Sequence, residues 1–425
     1  MTSPLLGRTP RTALAPADPV LPAATHRRRH GAGFWLIAFA FLTGMAFSAL
    51  PTPLYPLYAA RDGFSTFTVT VVYGTFAVGV VISLVLAGHL SDRVGRKKIL
   101  LPALGLETAA ALLFLSGSSL PLLLAGRLVT GLGVGMLTAT ATAHLHDLHT
   151  AHRPGASGQR FELVSTAANI GGLGVGPLVG GILAQYVGAP LRVPFLVFAV
   201  LLALSAVGVA LTPETVEAQP VRPAYRPQRI SADHGDRPSY IAAAAAGFAS
   251  FAVFGLFTSI AASFVAGTLH HPSRLLAGAI VFAVFGAAAV AQTLAGPLST
   301  AAKRRLGLAA EAVGLVVLLT GMRTASLPGF LAGGILSGIG AGVLFKAAVG
   351  AVAAAAAPAE RSEALAGLFL ISYVGLSVPA LGVGVATLDV STTTAMTWFT
   401  AVLLLMLAAV ALLGRRAATG APARR

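Results

Sequence analysis

Residues 119–135 read SLPLLLAGRLVTGLGVG, and residues 326–342 read SLPGFLAGGILSGIGAG. Laid over one another at an offset of 207, nine of the 17 positions are identical. Leu104-Gly105-Leu106-Glu107 overlays Leu308-Ala309-Ala310-Glu311 at an offset of 204, and Gly117 overlays Gly321. Pro177 and Gly180 overlay Pro379 and Gly382 at 202. Gly, Ala and Leu abound here, so one such match could arise by chance. Three in chain order at similar offsets mark an internal repeat of two halves running in parallel.

The composition says what the halves are made of. The chain has 425 residues, of which 56% are hydrophobic and 10% charged. A soluble domain sits nearer ~45–50% and ~25%. That excludes an ordinary cytosolic enzyme, and the hydrophobicity excludes a disordered chain. A bilayer core ~30 Å thick needs ~20 apolar residues per helix. Apolar segments fall at 33–59, 66–90, 99–117, 120–144, 158–187, 190–212, 239–267, 275–297, 306–323, 328–357, 363–388 and 391–414. The expectation is twelve transmembrane helices, six per half, with the third and ninth shortest. No length remains for a separate ATPase domain. The first run follows His26-Arg27-Arg28-Arg29-His30 and exceeds the ~7–15 apolar residues of a signal peptide, so it reads as a retained span.

Charge sets the orientation. The net charge is +15, which in a soluble protein would suggest nucleic acid. Here the basic residues sit between the spans, so a lipid bilayer is the expected partner and nucleic acid is not. The two tails, the central segment and alternate loops hold 23 Lys and Arg; the opposite loops hold four, namely Arg61, Arg192, Arg274 and Arg323. Arg127 and Lys346 lie within spans. This bias predicts both termini in the cytoplasm. The expected organisation is a tail over 1–32, a six-helix bundle over 33–212, a linker over 213–238, a second bundle over 239–414 and a tail over 415–425. The absence of cysteine removes disulfides and thiolate chemistry. The excess of Arg over Lys, 25 to 4, fits a GC-rich bacterial genome.

One loop carries the strongest local signal: Gly88-His89-Leu90-Ser91-Asp92-Arg93-Val94-Gly95-Arg96-Lys97-Lys98. Gly88 would let a neighbouring helix approach. Asp92 could accept hydrogen bonds at a helix N-terminus. Gly95 permits the positive φ of a tight turn. Arg96 stands four residues from Asp92, within ion-pair reach. Lys97 and Lys98 begin a helix, where their charge opposes the dipole; orientation and anionic lipid headgroups account for them better.

At these residues the chain resembles the major facilitator superfamily. The loop matches that family's motif A, Gly-x-x-x-Asp-x-x-Gly-Arg-Lys/Arg, at Gly88, Asp92, Gly95, Arg96 and Lys97. The second copy, over 296–305, keeps Gly296 and the basic run but has Thr300 for the acid and Lys303 for the second glycine. The resemblance covers residues 33–414. It implies an all-α integral membrane fold of two pseudo-symmetric six-helix bundles. These would rock around a midplane site, powered by a gradient and without ATP hydrolysis.

Arg127, Gly131, Gly133 and Gly135 resemble the family's motif B. A charge inside the bilayer must face protein or water. The resemblance has Arg127 border the cavity and serve proton coupling or substrate binding; a structural arginine satisfying backbone carbonyls is the other reading. Its repeat partner is Gly334, so the site is asymmetric. Gly172, Gly176, Pro177, Gly180 and Gly181 resemble motif C, which the family associates with antiporters, chiefly drug exporters. Small residues at i, i+4 and i+8 also make a flat face for close helix contact, and Pro177 can kink the span.

Glu107 and Glu311 occupy equivalent places in the third and ninth spans. A proton carrier needs a buried carboxyl. By resemblance, however, these helices lie at the periphery, so a structural role comes first. Lys346 is an expected ion-pair partner of Glu311, with snorkelling as the alternative. The first span lacks the acid that some proton-coupled exporters carry. His144, His146, Asp147, His149 and His152 cluster at the end of the fourth span, with no standard metal-site spacing; Asp147 is instead an expected partner of Arg96. Phe248, Phe251, Phe254 and Phe257 recur every third residue in the seventh span. With Tyr55, Tyr58 and Tyr373 they are candidates to meet substrate. The family lines its cavity with helices one, four, seven and ten; a lipid-facing stripe competes.

The expectation is therefore a secondary transporter of the major facilitator type and not an enzyme. Its expected partners are a small-molecule substrate and protons, with no cofactor, no metal and a monomeric state. Proton-coupled efflux of small amphipathic compounds leads; proton-coupled uptake of a small organic anion is the alternative. A membrane transferase would want an acidic loop cluster and a channel a filter loop, and neither would explain motif A.

Overall fold

The computed structural model describes residues 24–87, 90–216, 237–357 and 360–419. Most of both tails, Gly88 of the motif A loop and residues 217–236 of the expected linker lie outside the described residues.

Among the described residues, twelve helices are long and apolar enough to cross a membrane. They are Arg28–Asp62, Thr66–Ala87, Lys97–Ser116, Leu120–His152, Gln159–Tyr186, Val193–Leu211, Arg237–Ser259, Arg274–Leu294, Thr300–Arg323, Leu327–Ala355, Glu363–Ala386 and Thr392–Gly414, hereafter the first to twelfth spans. An even number of crossings returns the chain to the face it started from, here the terminal face. Large apolar residues such as Leu204, Val290 and Val402 are exposed on the outer surface, as lipid-facing residues must be.

The span boundaries differ from the sequence expectation at the ninth, sixth, fourth and first spans. The ninth span is not short: it begins at Thr300 and takes Lys303, Arg304 and Arg305 into its first turns. Long cationic side chains can leave a helix for polar surroundings. Ser299 caps this helix by accepting from Ala302 N–H, and Arg304 Nη2 donates to the Gly414 carbonyl at 3.2 Å. The sixth span, at 19 residues, is the shortest. The fourth span runs on to His152, so its histidines are helical. The first span is interrupted: Pro51 leads into a 3-10 turn at Thr52–Leu54, followed by a helix at Tyr55–Asp62.

The repeat is reproduced in the packing. In the first half, an added Cβ at Gly133 would stand 2.8 Å from Glu107 Cγ; in the second, one at Gly340 would stand 2.6 Å from Glu311 Cβ. Gly126 abuts Phe114, and Gly333 abuts Leu318. Gly135 meets Ser83, and Gly342 meets Ala288. Each pair recurs at the sequence offset of the repeat. At each of these glycines an added Cβ would come within 3 Å of a neighbouring side chain or backbone atom, so the small residue permits the close helix contact.

The halves meet along the fifth and eighth spans and along the second and eleventh. Gly278 packs on the Pro177 carbonyl, and Gly181 on the Arg274 carbonyl. Gly384 abuts Thr70, and a Cβ at Gly74 would lie 3.1 Å from Leu381. These contacts cluster away from the terminal face. On the terminal face the described ion pair between halves is Glu162–Lys346, at 3.6 Å.

Candidate functional site

A cavity lies between the halves, with residues from the first, second, fourth, fifth, seventh, eighth, tenth and eleventh spans around it. The first half supplies Met45, Ser48, Tyr73, Phe76, Arg127 and Thr138. The second half supplies aromatic rings. Phe251 contacts Phe254, Phe345 and Tyr373 at centroid distances of 6.1, 4.9 and 5.4 Å. Phe254 stacks on Phe285 at 4.7 Å, and Phe345 meets Phe369 edge-on at 5.6 Å. One wall is thus mixed and cationic, the other aromatic.

Arg127 is the one charged residue among the cavity's described lining, which contains no Asp or Glu. It is almost fully buried. Its Nη1 donates to the Ser48 carbonyl at 2.6 Å, just before the break at Pro51. The guanidinium lies 4.5 Å from the Phe76 ring centroid and 5.8 Å from that of Tyr73. Ring faces carry partial negative charge and attract cations. No carboxylate is paired with Arg127 among the described ion pairs, and its Nε has no hydrogen-bond partner. Both sequence readings of Arg127 have a counterpart here: it lines the cavity and it satisfies a carbonyl.

Away from the terminal face the cavity is closed by polar contacts. Thr52 Oγ1 donates to the Thr258 carbonyl at 3.1 Å, and the hydroxyls of Thr258 and Tyr73 are 2.7 Å apart. Each contact joins one half to the other. Towards the terminal face the space continues into a second cavity that shares Thr138, Asn169, Phe345 and Tyr373 and adds Thr142 and Gln292. Asn169 sits in a π-helical turn, Ala167–Gly171, immediately before the glycine ridge of the fifth span. Such turns re-aim side chains and often accompany function. The sequence reading missed Asn169, although a lone amide inside an apolar span was a visible signal.

The other candidates divide. Phe254 and Tyr373 line the cavity; Tyr55 and Tyr58 are buried outside its lining. The phenylalanine stripe splits, because three residues advance a helix by ~300° and the faces drift. Phe251 and Phe254 face the cavity, Phe257 packs on Phe330, and Phe248 turns to a separate pocket beside the eleventh and twelfth spans. Glu107 and Glu311 are fully buried, with both carboxyl oxygens of each unpartnered, and neither lines the cavity. The expected Lys346–Glu311 pair does not form: Lys346 Nζ donates to the Gln292 carbonyl at 3.1 Å and faces Glu162. Lys346 lies near the membrane boundary, where its chain reaches the surface acid more readily than the interior one.

In the ridge of the fifth span, Gly172, Gly176 and Gly180 pack on Met45, Ala46 and Leu50 of the first span. Gly174 and Gly181 face the eighth span, and Pro177 lies inside the helix. The ridge therefore serves both its own bundle and the seam between halves. Gly131 and Gly135 hold the fourth span against the second, and Gly133 holds it against Glu107.

The motif A loop is organised around Arg96. Its guanidinium pairs with Asp92 and donates to Ser91 Oγ at 2.9 Å and to Asp147 Oδ2 at 3.0 Å. The expected Arg96 pairs with Asp92 and Asp147 are both present. Gly95 has φ 110°, a conformation that strains other residues. The acid at the helix N-terminus, however, is Glu214 and not Asp92. Glu214 accepts from Arg96 N–H at 2.9 Å and Lys97 N–H at 3.0 Å, while Asp92 sits in the separate turn Ser91–Val94. Burial works against the Glu214 charge, but four backbone N–H groups prevail and hold its carboxyl below the usual range. Lys97 Nζ donates to the Ala210 carbonyl at 2.6 Å, placing a cation at the C-terminus of the sixth span.

Among the described residues no group of three His, Asp or Glu could hold a metal ion. His144 contacts the Pro213 carbonyl at 3.1 Å and His149 the Ser157 carbonyl at 3.2 Å, and His146 meets Phe161 edge-on.

Comparison with known proteins adds a family. Residues 36–239 match the profile described as Major Facilitator Superfamily. An uncharacterised MFS-type transporter of Mycobacterium tuberculosis is 30% identical over 154 residues, covering 36% of this chain and 26% of that protein. A bacillibactin exporter of Bacillus subtilis is 30% identical over 139 residues, covering 32% and 34%. The matches thus span about a quarter to a third of these relatives' own length. The crystal structure of the human organic anion transporter MFSD10 superposes with a TM-score of 0.67 at 17% identity, covering 90% of this chain and 99% of that one. That likeness is one of fold.

Proposed function

Because this chain belongs to the major facilitator superfamily, we propose that it is a secondary transporter that moves a small molecule through the cavity between its halves by alternating access. The observation that carries the reading is the unequal closure of that cavity. Thr52, Thr258 and Tyr73 seal one side, while the space continues past Asn169 and Thr142 towards the terminal face. The loop charges put that face in the cytoplasm, so this conformation faces inward.

Proton-coupled efflux of small amphipathic compounds is the leading activity. The largely apolar cavity suits such compounds, the glycine ridge of the fifth span fits the antiporter pattern, and one relative is named an exporter. Proton-coupled uptake of a small organic anion is the second reading, favoured by Arg127, the one charged residue in the cavity's described lining. The protein works as a monomer in the bacterial inner membrane, with both ends in the cytoplasm. Cells with and without it should be grown against a compound panel, with and without an uncoupler. Resistance that the uncoupler abolishes supports efflux. Sensitisation instead of resistance favours uptake, and no growth difference for any compound argues against both.

A further inference from the structure

Closure of the cavity leaves three features unused: the repeat-related carboxyls Glu107 and Glu311, the terminal-face pocket beside His146 and Glu214, and the unspent donors of Arg127. The last reaches a ligand. A guanidinium carries five N–H bonds, and the described hydrogen bonds use one, to the Ser48 carbonyl. Nε is buried without a partner. The remaining contacts are ring faces, which hold a cation but accept no in-plane hydrogen bond. A purely structural arginine would spend its donors on carbonyls.

The charge around it has one sign. No Asp or Glu lines the cavity among the described residues, so a cationic compound would meet Arg127 with nothing to offset it. The polar remainder is neutral, an amide at Asn169 and the hydroxyls of serine, threonine and tyrosine. The facing wall is the ring cluster of Phe251, Phe254, Phe285 and Phe345. Aromatic walls favour flat apolar bodies through offset and edge contacts.

We propose that the cavity selects aromatic monoanions, with the carboxylate or sulfonate paired to Arg127 and the ring body against Phe251 and Phe254. This deepens the transport reading and rests on it, but it is independent of direction. It also excludes the lipophilic cations that an apolar cavity alone would accept.

The test uses three probes on one ring system: 1-naphthoate, 1-naphthamide and 1-naphthylmethylammonium. Binding to the purified full chain is measured by calorimetry. The expected result is naphthoate tighter than the amide by about ten-fold or more, with the ammonium weakest. Arg127→Gln should abolish the preference for the anion, and Arg127→Lys should keep part of it. Phe254→Leu should weaken naphthoate without changing the charge order. If Arg127→Gln does not fold, the order of the three probes on the wild type still decides. Equal binding of all three, tighter binding of the ammonium, or no binding of any would overturn the proposal. Flux in proteoliposomes separates the two readings. Naphthoate bound but never carried leaves the selectivity standing and removes transport; the ammonium carried in its place does the reverse.

Discussion

The backbone N–H of Arg96 donates to a carboxylate oxygen of Glu214 at 2.9 Å, although 118 residues separate the two. The same carboxylate accepts from Lys97 N–H, Thr215 N–H and Val216 N–H. The start of the third span is thereby tied to the end of the sixth. Glu214→Ala should cost about 1 kcal/mol, as loss of a helix cap does. The pH dependence has a definite sign. Because the folded carboxyl titrates below its usual 4.5, its contribution is full above that pH and is lost as pH falls through the lowered value. Thermal unfolding followed from pH 8 to 3 should show an acid limb that shrinks in Glu214→Gln.

Arg96 also binds Asp92 and Asp147 through its side chain, and this links the motif A turn to the fourth span. Asp92 is mostly exposed, so its pair with Arg96 adds little to stability. Asp92→Asn should therefore leave membrane insertion and folding intact while crippling transport. Arg96→Lys should act alike, because one ammonium cannot serve Ser91, Asp92 and Asp147 together. Flux assays on reconstituted variants check this, and normal flux in Asp92→Asn would show that the motif A turn does not gate the movement of the halves.

Gly133 and Gly340 are equivalent by repeat and by packing. Valine at either would be driven into Glu107 or Glu311. Each substitution should destabilise by about 1–3 kcal/mol, the usual cost of overpacking. Gly105→Ala meets open space and should be neutral or slightly stabilising. Melting of the three purified variants tests the comparison; a harmless Gly340→Val would contradict the equivalence of the halves.

Glu162 and Lys346 face each other across the seam on the terminal face at 3.6 Å, with Glu162 well exposed. Such a pair contributes about 0–1 kcal/mol. Glu162→Lys and Lys346→Glu should each alter flux modestly, and the double swap should restore it. Additive losses in the double variant would show that the pair plays no part in closing that face.

The sequence made the spans, the repeat and the Arg96 partners readable, because each rests on a local pattern or on two loops sharing a side. Glu214 was hidden. Composition places it at the edge of a linker, and no periodicity reports which helix N-terminus a distant carboxylate will reach. The ninth span looked short because Lys303, Arg304 and Arg305 resemble a loop, whereas their side chains extend from inside a helix. Lys346 was assigned to Glu311 by span adjacency; rotation about the helix axis sends it to Glu162 instead. Cavity residues such as Phe285 and Phe345 could not be told from lipid-facing ones, since both surroundings are apolar. Only the packing of one half on the other separates them.

Relative movement of the two halves is the claim on which the rest depends, and the absence of cysteine makes it open to a clean test. Gly174 and Phe285 oppose each other across the seam of the fifth and eighth spans, where a Cβ on Gly174 would lie 3.2 Å from Phe285 Cβ. A disulfide needs Cβ atoms about 3.5–4.5 Å apart, so the pair comes within reach with an opening of a few tenths of an ångström. In the double variant Gly174→Cys with Phe285→Cys, substrate flux should be present in reductant, stop on oxidation and return on reduction. Undiminished flux through the cross-linked protein would contradict alternating access by these two bundles.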